Sequence, residues 1–549
     1  MEGVQHSESR KNMNDVDKTK GTDGAAYTET RYGQEKDPQD IGDLHRQLKA
    51  RHIAMISLGG VIGTGLFLGT ATALRNGGPL GLWLGYSLMG TIVFAVMQCL
   101  GEMIAHLPVS GGHITLARRF VGNEMAFAVG WLYWYNWTIV LPAELSAAAV
   151  LVNYWNDTIN NAAWITIFLA VVIGINLGGA RVYGEAEFWF ALLKIITIIG
   201  LIIMGIIITS GGGPGPSIGF RYWREPGAFQ QFHDIPGPLG RFLGFWSVLI
   251  QAAFSYIGTE ITAIAAGEAK NPKRNLPRAI KKVYFRIIVF YILGTFVIGL
   301  IASPDDPALN LSASTAAKSP WVTAVVSAGI DVLPSIINAA FLCSAWSAAS
   351  SDLYTSSRAL YGLALSGSAP KIFIKTSSWG LPYYAVLVGC LFALLSYMST
   401  GSSTAGEVFG WFANMTSVAG LVTWQAIFFI YFRFYKGVKV QGLDRKADFP
   451  YRAPLQPYLS IYGFIFTWLI LITNGFSVFL AGSWDTATFV TSYLPIVLFF
   501  VLLVGHKVFI RDKWITYEDM DFWTGSRVGI EEYEAPPKNF AEKMWRAIM

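Results

Sequence analysis

The stretch Leu58-Gly59-Gly60-Val61-Ile62-Gly63-Thr64-Gly65 lies inside an apolar run that extends from Ile53 to Leu74. An apolar run of about 20 residues is long enough to cross the hydrocarbon core of a bilayer. Four glycines in seven positions weaken a helix and let the backbone approach a ligand closely. The stretch therefore predicts a membrane helix that is broken at mid-membrane, where free N–H groups receive an anion such as a carboxylate.

The same glycines have two other interpretations. Small residues at this spacing also serve close packing between membrane helices, as in GxxxG pairs. A dinucleotide-binding loop is disfavoured, because no strand precedes the glycines and Gly85, about 20 residues further on, is not acidic. The broken helix is favoured because Ile257-Gly258-Thr259 repeats Ile62-Gly63-Thr64 inside another apolar run. Paired Gly-interrupted segments in two halves of a chain are typical of a transporter's binding site.

The composition is that of a polytopic membrane protein. The chain has 549 residues, of which 53% are hydrophobic and only 14% are charged, whereas soluble domains carry about 25% charged residues. Cys99, Cys343 and Cys390 fall in apolar runs and are expected to be buried free thiols. The histidines show no metal-ligand spacing, and no nucleophile–base pair is visible. We therefore expect no enzyme, no metal or cofactor and no nucleic-acid partner.

Twelve apolar segments are candidate transmembrane spans, which predicts an all-α polytopic membrane protein with twelve transmembrane helices. The spans lie at residues 53–74, 81–106, 125–152, 163–178, 187–209, 242–266, 284–303, 322–350, 382–400, 407–432, 458–480 and 489–510. The chain is thus predicted to have a transporter domain at 51–510 between polar tails at 1–50 and 511–549, both expected to be disordered. Because twelve is even, both tails lie on one side of the membrane.

Lysines and arginines are concentrated in the loops on the N-terminal side, above all between residues 270 and 286. Positively charged loops face the cytosol, so both termini are predicted to be cytosolic. Two glycosylation acceptors, Asn156 and Asn310, then fall on the outer side, as glycosylation requires. Asn136 and Asn414 also match the acceptor pattern, but they lie within predicted spans.

Spans 1–5 and spans 6–10 each open with a Gly-broken segment. This arrangement predicts a five-plus-five inverted repeat (LeuT-like), with discontinuous helices 1 and 6 and two appended helices. In such folds the substrate lies between the breaks near the bilayer midplane.

Four long strings accompany the breaks: GEMIAHLPVSGGHITLARRFVG at 101–122, FSYIGTEITAIAAGEAKNPKRNLPRAI at 254–280, SSRALYGLALSGSAPKIF at 356–373 and DFPYRAPLQPY at 448–458. Through them the chain resembles the fungal amino-acid permeases of the amino acid–polyamine–organocation superfamily, over about residues 45–530. The resemblance implies the twelve-helix inverted-repeat fold and amino-acid uptake driven by the proton gradient. It also implies that ubiquitin ligase machinery acts on tail lysines such as Lys11, Lys18 and Lys20.

An amino-acid zwitterion must have both of its charges bound away from lipid. The predicted carboxylate-binding residues, which offer N–H groups at the first break, are Ile62, Gly63, Thr64 and Gly65. The predicted ammonium-binding residues, which offer carbonyls at the second break, are Phe254, Ser255 and Ile257. The resemblance assigns the two breaks the same roles. Phe254 is either a lid over the substrate side chain or an ordinary core residue.

Glu144 follows Pro142 well inside span 3. An ionisable residue at this depth usually faces the interior and is a functional candidate. The similar permeases place a glutamate of this helix in the pocket, so Glu144 is predicted to contact substrate or carry a proton. The alternative is a protonated structural residue. Gln251, one turn before the second break, and Trp411 in span 10 are predicted to contact the substrate side chain.

Lys194 lies well inside span 5, roughly 10 Å along the helix from Glu187. Burial makes the charged form of a lysine costly, which suits a group that must gain and lose a proton. The alternative is a side chain that snorkels to the inner interface. Related proton-coupled permeases place a lysine on helix 5 against helix 1, so Lys194 is predicted to couple transport to protons. Glu260, directly after the second break, either orients the break or relays a proton.

These observations predict a proton-coupled amino-acid importer of the plasma membrane that works by alternating access. The uncharged Gln251 favours neutral L-amino acids including proline, while an ionised Glu144 would accommodate a broad or cationic range. A nutrient receptor with little transport is a rival of a different class. A sodium-coupled carrier is the main rival among transporters, and Lys194 argues against it.

Overall fold

The structure is a computed structural model that describes residue 55 and residues 62–109, 111–156, 158–213, 216–261, 283–310, 319–400, 405–524 and 526. Several sequence predictions lie outside these described residues. They concern Leu58–Val61, the N-terminal tail with its lysines, and the basic segment at 262–282.

All regular structure within the described residues is helical. In chain order the α-helices are α1 (Thr70–His106), α2 (His113–Phe120), α3 (Asn123–Val152), α4 (Asn161–Leu177), α5 (Gly179–Thr209), α6 (Gly237–Tyr256), α7 (Gly294–Ile301), α8 (Pro320–Ser327), α9 (Leu333–Leu365), α10 (Tyr383–Ala393), α11 (Ala405–Val440), α12 (Tyr458–Thr473) and α13 (Thr486–Ile510). Wider π-helical turns at Gly65–Gly69 and Ile287–Leu293 lead into α1 and α7, and a 3₁₀ turn at Leu394–Thr400 follows α10. Eight helical segments are long and apolar enough to cross a membrane, and α4 and α12 are shorter apolar helices.

The helix that contains α1 accounts for two predicted spans. It runs through Gly65–His106, which is 42 residues, or about 63 Å and roughly twice the thickness of the hydrocarbon core. The helix bends at Gly78, whose φ of 72° belongs to the left-handed region, immediately before Pro79. A Cβ at Gly78 would lie 2.8 Å from the carbonyl oxygen of Ala228, so glycine is required there. The sequence had indicated a short loop at this point, and the structure has a kink instead.

The eighth predicted span, at 322–350, has the wrong limits. The short helix α8 ends at Ser327, and α9 begins at Leu333 and continues to Leu365. Gly329, with a φ of 71°, interrupts the helix, and Pro334 lies in the first turn of the new one, where its missing N–H costs nothing. Residues 351–365 therefore belong to a helix rather than to an inner loop.

The helices form an inner group and an outer group. In the most apolar window of α3, 94% of the residues are buried, against 22% for α13. Helix α3 packs against α9 and α11, and α1 packs against α6. The outer helices α5 and α13 expose apolar side chains such as Ile196, Ile203 and Val501, which is the surface that a lipid-facing helix presents. The site described below lies within the inner group.

The C-terminal segment begins as an ordered structure. Met520 and Phe522 are buried, and Phe522 packs against Phe120 of α2 and Phe434 of α11. The prediction of disorder is therefore wrong for residues 511–524. Although most of the segment is polar, its apolar side chains Met520 and Phe522 are buried and hold it against the helices. Residues 527–549 lie outside the described part.

Candidate functional site

The first break lies where the sequence predicted it. Ile62 and Gly63 are not helical, and helical structure begins at Thr64. The carbonyl of Ile62 accepts a hydrogen bond of 3.1 Å from the hydroxyl of Ser344 on α9. The first N–H groups of a helix have no partner within it, so those that follow Gly63 are available to an anion.

The second break ends α6. The helix stops at Tyr256, and Ile257 has extended backbone with a ψ of 144°. Gly258 has a φ of 94°, in the left-handed region, and the chain turns before it is helical again at Ile261. Phe254 and Ser255 thus belong to the last turn of α6, whose carbonyls lack partners further along the helix.

The two breaks face each other at close range. A Cβ placed on Gly65 would lie 2.9 Å from the Cα of Ser255 and 2.9 Å from Cδ1 of Phe254. Such a distance is shorter than any ordinary contact, so the approach requires glycine at position 65. The hydroxyl groups of Ser255 and Tyr86 are 2.8 Å apart and share a hydrogen bond, which ties the end of α6 to α1.

Glu144 completes this arrangement from the middle of α3. The hydroxyl of Thr64 donates a hydrogen bond of 2.9 Å to its Oε1. The glutamate is 4% exposed, and its Oε2 is buried with no hydrogen-bond partner among the described residues. A Cβ at Gly63 would lie 3.0 Å from Oε1, so the carboxyl group rests directly against the broken backbone.

A small cavity, which we call the chamber, lies between the breaks. It has a volume of about 50 Å³, enough for roughly three to five water molecules. The residues that line it are Gly63, Gly65, Trp137, Val140, Glu144, Phe254, Ser255, Ile257, Ala348, Asp352 and Thr416. Six of the predicted substrate-binding residues are therefore brought together. Thr64 acts through its bond to Glu144, and the side chain of Ile62 is buried in the core.

A wider cavity, which we call the vestibule, lies on the other side of Phe254. Its volume is about 600 Å³, and Phe254 belongs to the walls of both cavities. The ring of Phe254 packs edge-on against Phe409, with 6.0 Å between centroids. Gln251 and Trp411, predicted to contact the substrate side chain, line the vestibule and not the chamber. Their contact with a substrate thus depends on the position of Phe254.

The vestibule reaches the protein surface at an acidic mouth. Glu407 and Asp485 line it and are exposed. Asp485 caps α13 by accepting a hydrogen bond of 2.8 Å from the N–H of Thr488. The hydrogen bonds from Thr488 hold the pKa of Asp485 below its usual range, so this carboxylate keeps its negative charge in mildly acidic medium.

Lys194 is buried beside a carboxylate of its own helix. Its Nζ lies 3.7 Å from Oε1 of Glu187, and the two side chains are 0% and 1% exposed. The other carboxylate oxygen of Glu187 accepts hydrogen bonds from Ser347 at 2.8 Å and Ser351 at 3.2 Å, both on α9. The side chain of Lys194 is therefore held in the interior rather than extended to the membrane interface. It lines neither cavity.

Met55, the described residue that precedes the first break, packs against α5. It contacts Ala191 and Phe188, which lie about one and two turns before Lys194. The predicted position of Lys194 against helix 1 stays a prediction, because residues 56–61 lie outside the described part of the chain.

Glu260 lies outside both cavities. It is 1% exposed and accepts a hydrogen bond of 3.2 Å from Nε1 of Trp424 on α11. Its neighbour Thr259 accepts one of 2.9 Å from Arg286. These bonds anchor the second break to α11 and to the start of the next helix, which favours the orienting role of Glu260.

At the opposite end from the vestibule, a clamp closes the helix bundle. Arg445 donates two hydrogen bonds of 2.6 Å to the carboxylate of Glu102 near the end of α1. Glu102 is 0% exposed and also accepts from the hydroxyl of Tyr431 and the N–H of Ala453. The loop that carries the DFPYRAPLQPY string is thereby fixed across the end of α1.

Asp352 is the ionisable residue of the chamber wall that the sequence did not reveal. The predicted eighth span ended at residue 350, so Asp352 was expected in a loop. In the structure it lies on α9, is 4% exposed and lines the chamber. The available signal was its spacing of one helical turn from Ala348, which also lines the chamber.

Of the two glycosylation acceptors, Asn156 is exposed, and its Oδ1 accepts hydrogen bonds from the N–H and hydroxyl of Thr158 at 3.0 and 2.8 Å. The side chain of Asn310 lies outside the described part of the structure.

The helical architecture is a LeuT-like fold. A crystal structure of a manganese transporter of Eremococcus coleocola matches with a TM-score of 0.53 at 12% identity, covering 84% of this chain and 94% of that one. At this identity the likeness extends to the fold alone.

The sequence decides the family. Residues 52–517 match the amino acid permease family model, and the chain belongs to that family. It is 42% identical over 498 residues to the dicarboxylic amino acid permease of Saccharomyces cerevisiae, covering 89% of this chain and 81% of the relative. It is 41% identical over 512 residues to the proline-specific permease of Emericella nidulans, covering 91% and 92%. The lysine-specific permease of Saccharomyces cerevisiae is 40% identical over 531 residues, with 95% and 85% covered.

These findings confirm the predicted family and establish an amino-acid permease and multi-pass membrane protein rather than an enzyme. The relatives are named for acidic, neutral and basic amino acids, so family membership alone leaves the substrate open.

Proposed function

We propose that the protein is a proton-coupled importer of amino acids at the plasma membrane and that it works by alternating access. The observation that supports the proposal best is the small chamber between the two helix breaks, with Glu144 in its wall. The breaks offer unpaired N–H groups from one helix and unpaired carbonyls from the other. Together they complement both charges of an amino-acid zwitterion in a place without lipid or bulk water.

The proposal includes twelve membrane crossings in a five-plus-five inverted repeat. The eight long helical segments give nine crossings when the 42-residue segment bent at Gly78 is counted twice. Helices α4 and α12 and the broken helix that contains α6 supply the other three. With this topology and cytosolic termini, the vestibule opens to the outside and the Glu102–Arg445 clamp lies at the cytosolic end.

We infer that the described state is outward-facing, with Phe254 between the vestibule and the chamber. The chamber has room for the charged head group of an amino acid but not for a large side chain. The side chain of the substrate would therefore extend past Phe254 towards Gln251 and Trp411. Rotation of Phe254 joins the two cavities and admits the substrate. Subsequent opening of the cytosolic end requires that the clamp release α1.

Proton coupling rests on Lys194. Its amine is buried 3.7 Å from Glu187, and Glu187 is bonded to two serines of α9, the helix that also carries Asp352. A change in protonation of the amine would alter the contact between α5 and α9 beside the chamber. We propose neutral L-amino acids, proline included, as substrates, since Gln251 is the polar side chain next to the lid.

The test is uptake of labelled amino acids by fungal cells that lack their own permeases, followed by competition with each of the twenty amino acids. We expect accumulation against a gradient that a protonophore abolishes and that replacement of sodium leaves unchanged. One proton moved across 100 mV corresponds to about 2.3 kcal/mol, or roughly 50-fold accumulation. Sodium-dependent accumulation would contradict the coupling. Amino-acid-dependent signalling without uptake would identify a receptor.

A further inference from the structure

Asp352 is a second carboxyl group that faces the chamber. It lies on α9, is 4% exposed and shares the chamber wall with Glu144. Its Oδ2 is buried and has no hydrogen-bond partner within the described part of the chain. Native structures rarely leave a buried carboxylate oxygen without a partner. A ligand in the chamber is the group best placed to supply one.

Two hydroxyl groups close to Asp352 in the sequence are committed elsewhere. Ser347 and Ser351 of the same helix donate to Glu187. Lys194 lies 3.7 Å from the other oxygen of that glutamate. Glu144, Lys194 and Glu187 all interact electrostatically with Asp352. This buried cluster contains three carboxyl groups and one amine, and only carboxyl groups from it reach the chamber wall.

Every ionisable side chain among the described residues that line the path to the chamber is acidic. Glu407 and Asp485 stand at the mouth of the vestibule, and Glu144 and Asp352 stand at its inner end. Among the described residues that line the two cavities there is no lysine, arginine or histidine. An anion therefore finds no positively charged partner along this path and meets repulsion at the mouth, while a cation meets attraction there.

We propose that Asp352, acting with Glu144, restricts this permease to zwitterionic and cationic amino acids and excludes those with a net negative charge. The inference rests on the proposed amino-acid transport and adds the class of substrate. A purely structural role for Asp352 predicts that its charge has no influence on selectivity.

The test compares substrates that differ in charge but not in shape. Inhibition of the uptake of a labelled neutral amino acid is measured with the pairs aspartate and asparagine, glutamate and glutamine, and lysine and norleucine. In the wild-type protein we expect each anion to inhibit at least about tenfold more weakly than its neutral isostere. In Asp352→Asn we expect that ratio to shrink by about tenfold and the inhibition by lysine to weaken relative to that by norleucine.

Two further variants keep the result interpretable. Asp352→Glu retains the carboxyl group and should retain the wild-type ratios. This variant distinguishes the effect of losing the carboxyl group from the effect of disturbing the helix. Asp331→Asn makes the same change at an exposed position just before α9 that lines neither cavity, and it should leave every ratio unchanged. Surface expression is measured for each variant.

Equal inhibition by aspartate and asparagine in the wild-type protein would overturn the inference, while amino-acid transport itself would stand. Unchanged ratios in Asp352→Asn at normal surface expression would also overturn it and assign the residue a structural role. Absence of uptake of any amino acid by the wild-type protein would instead refute the proposed function, and the inference with it.

Discussion

Thr64 and Glu144 are joined by a hydrogen bond of 2.9 Å that connects the break of helix 1 to the middle of α3. The two residues are 80 positions apart in the chain. Because Oε1 of Glu144 is occupied by the hydroxyl, the carboxyl group is held in one orientation at the chamber wall. Thr64 thus positions a charged group of the site without lining the chamber itself.

The first prediction removes this bond. In Thr64→Val the side chain keeps nearly the same shape, but the buried carboxyl group of Glu144 loses the hydrogen bond from the Thr64 hydroxyl. An unsatisfied buried group costs about 1–3 kcal/mol, so we expect kcat/KM for uptake to fall by roughly 10-fold to 100-fold. Thr64→Ser keeps the hydroxyl and should retain most of the activity. Equal activity of the Val and Ser variants would show that the bond has no functional role.

The second prediction concerns the glycines at the first break. In Gly65→Ala the new Cβ would lie 2.9 Å from backbone and side-chain atoms of Ser255, so α1 and α6 must separate and transport should be lost. Gly63→Val should also abolish transport, because the added atoms displace the carboxyl group of Glu144. Both should reach the cell surface at near-normal levels.

Gly362→Ala is the matched control, since a Cβ there has no atom within 4 Å. It should transport normally. Normal uptake by the Gly65 or Gly63 variant, at the surface level of the control, would show that the breaks are not the binding site.

The glycine breaks could be predicted from the sequence because their signal is local. A long apolar run predicts a membrane helix, but glycines in the middle of the run weaken that helix. This conflict can be recognised from the segment itself, without knowing which other segments it contacts. Lys194 could be found for the same reason, since a lone amine inside an apolar span is conspicuous. Both predictions depend on comparing a residue with its immediate neighbours.

Asp352 and the Glu102–Arg445 pair could not be found in this way. Asp352 was missed because the apolar signal of its helix fades after residue 350, although the helix continues to Leu365. Glu102 and Arg445 are 343 positions apart, and no periodicity in either segment indicates the other. Pairing between distant segments is decided by tertiary packing, which one sequence does not display.

The third prediction tests proton coupling at Lys194. If its amine carries the coupling proton, Lys194→Ala should lose accumulation driven by a pH gradient while substrate affinity stays within about tenfold of wild type. Lys194→Arg should also be inactive, because a guanidinium does not release its proton in the working range. Uptake into vesicles, measured with and without an imposed pH gradient, distinguishes coupling from binding.

Full accumulation by the Arg variant, with the pH dependence of the wild type, would reject the proton role of Lys194. The remaining candidates for the proton carrier would then be Glu144 and Glu260.

The fourth prediction concerns the clamp at the cytosolic end. Arg445→Gln leaves Glu102 buried without a counter-charge, and breaking a buried ion pair costs about 3–5 kcal/mol. The hydrogen bonds that Glu102 keeps from Tyr431 and Ala453 reduce this cost. We expect a clear fall in the apparent melting temperature of the protein in detergent, largely restored in the double variant Glu102→Gln, Arg445→Gln.

A surface ion pair provides the comparison for the clamp. Arg119 and Asp521 are 3.9 Å apart, and the side chain of Asp521 is 43% exposed. Asp521→Asn should change stability by less than about 1 kcal/mol. If Arg445→Gln is no more destabilising than Asp521→Asn, the clamp does not hold the described state together.

The position of Phe254 between two cavities has a consequence for inhibition. At about 600 Å³ the vestibule falls within the range of roughly 300–1,000 Å³ that is usual for drug-sized ligands, whereas the chamber does not. A compound too large to pass Phe254 would fill the vestibule and block access from outside without being transported. Its selectivity among permeases would depend on vestibule residues such as Gln251, Trp411 and Glu407 rather than on the residues that hold the amino acid. An inhibitor could therefore distinguish between two related permeases even if both transport the same amino acid.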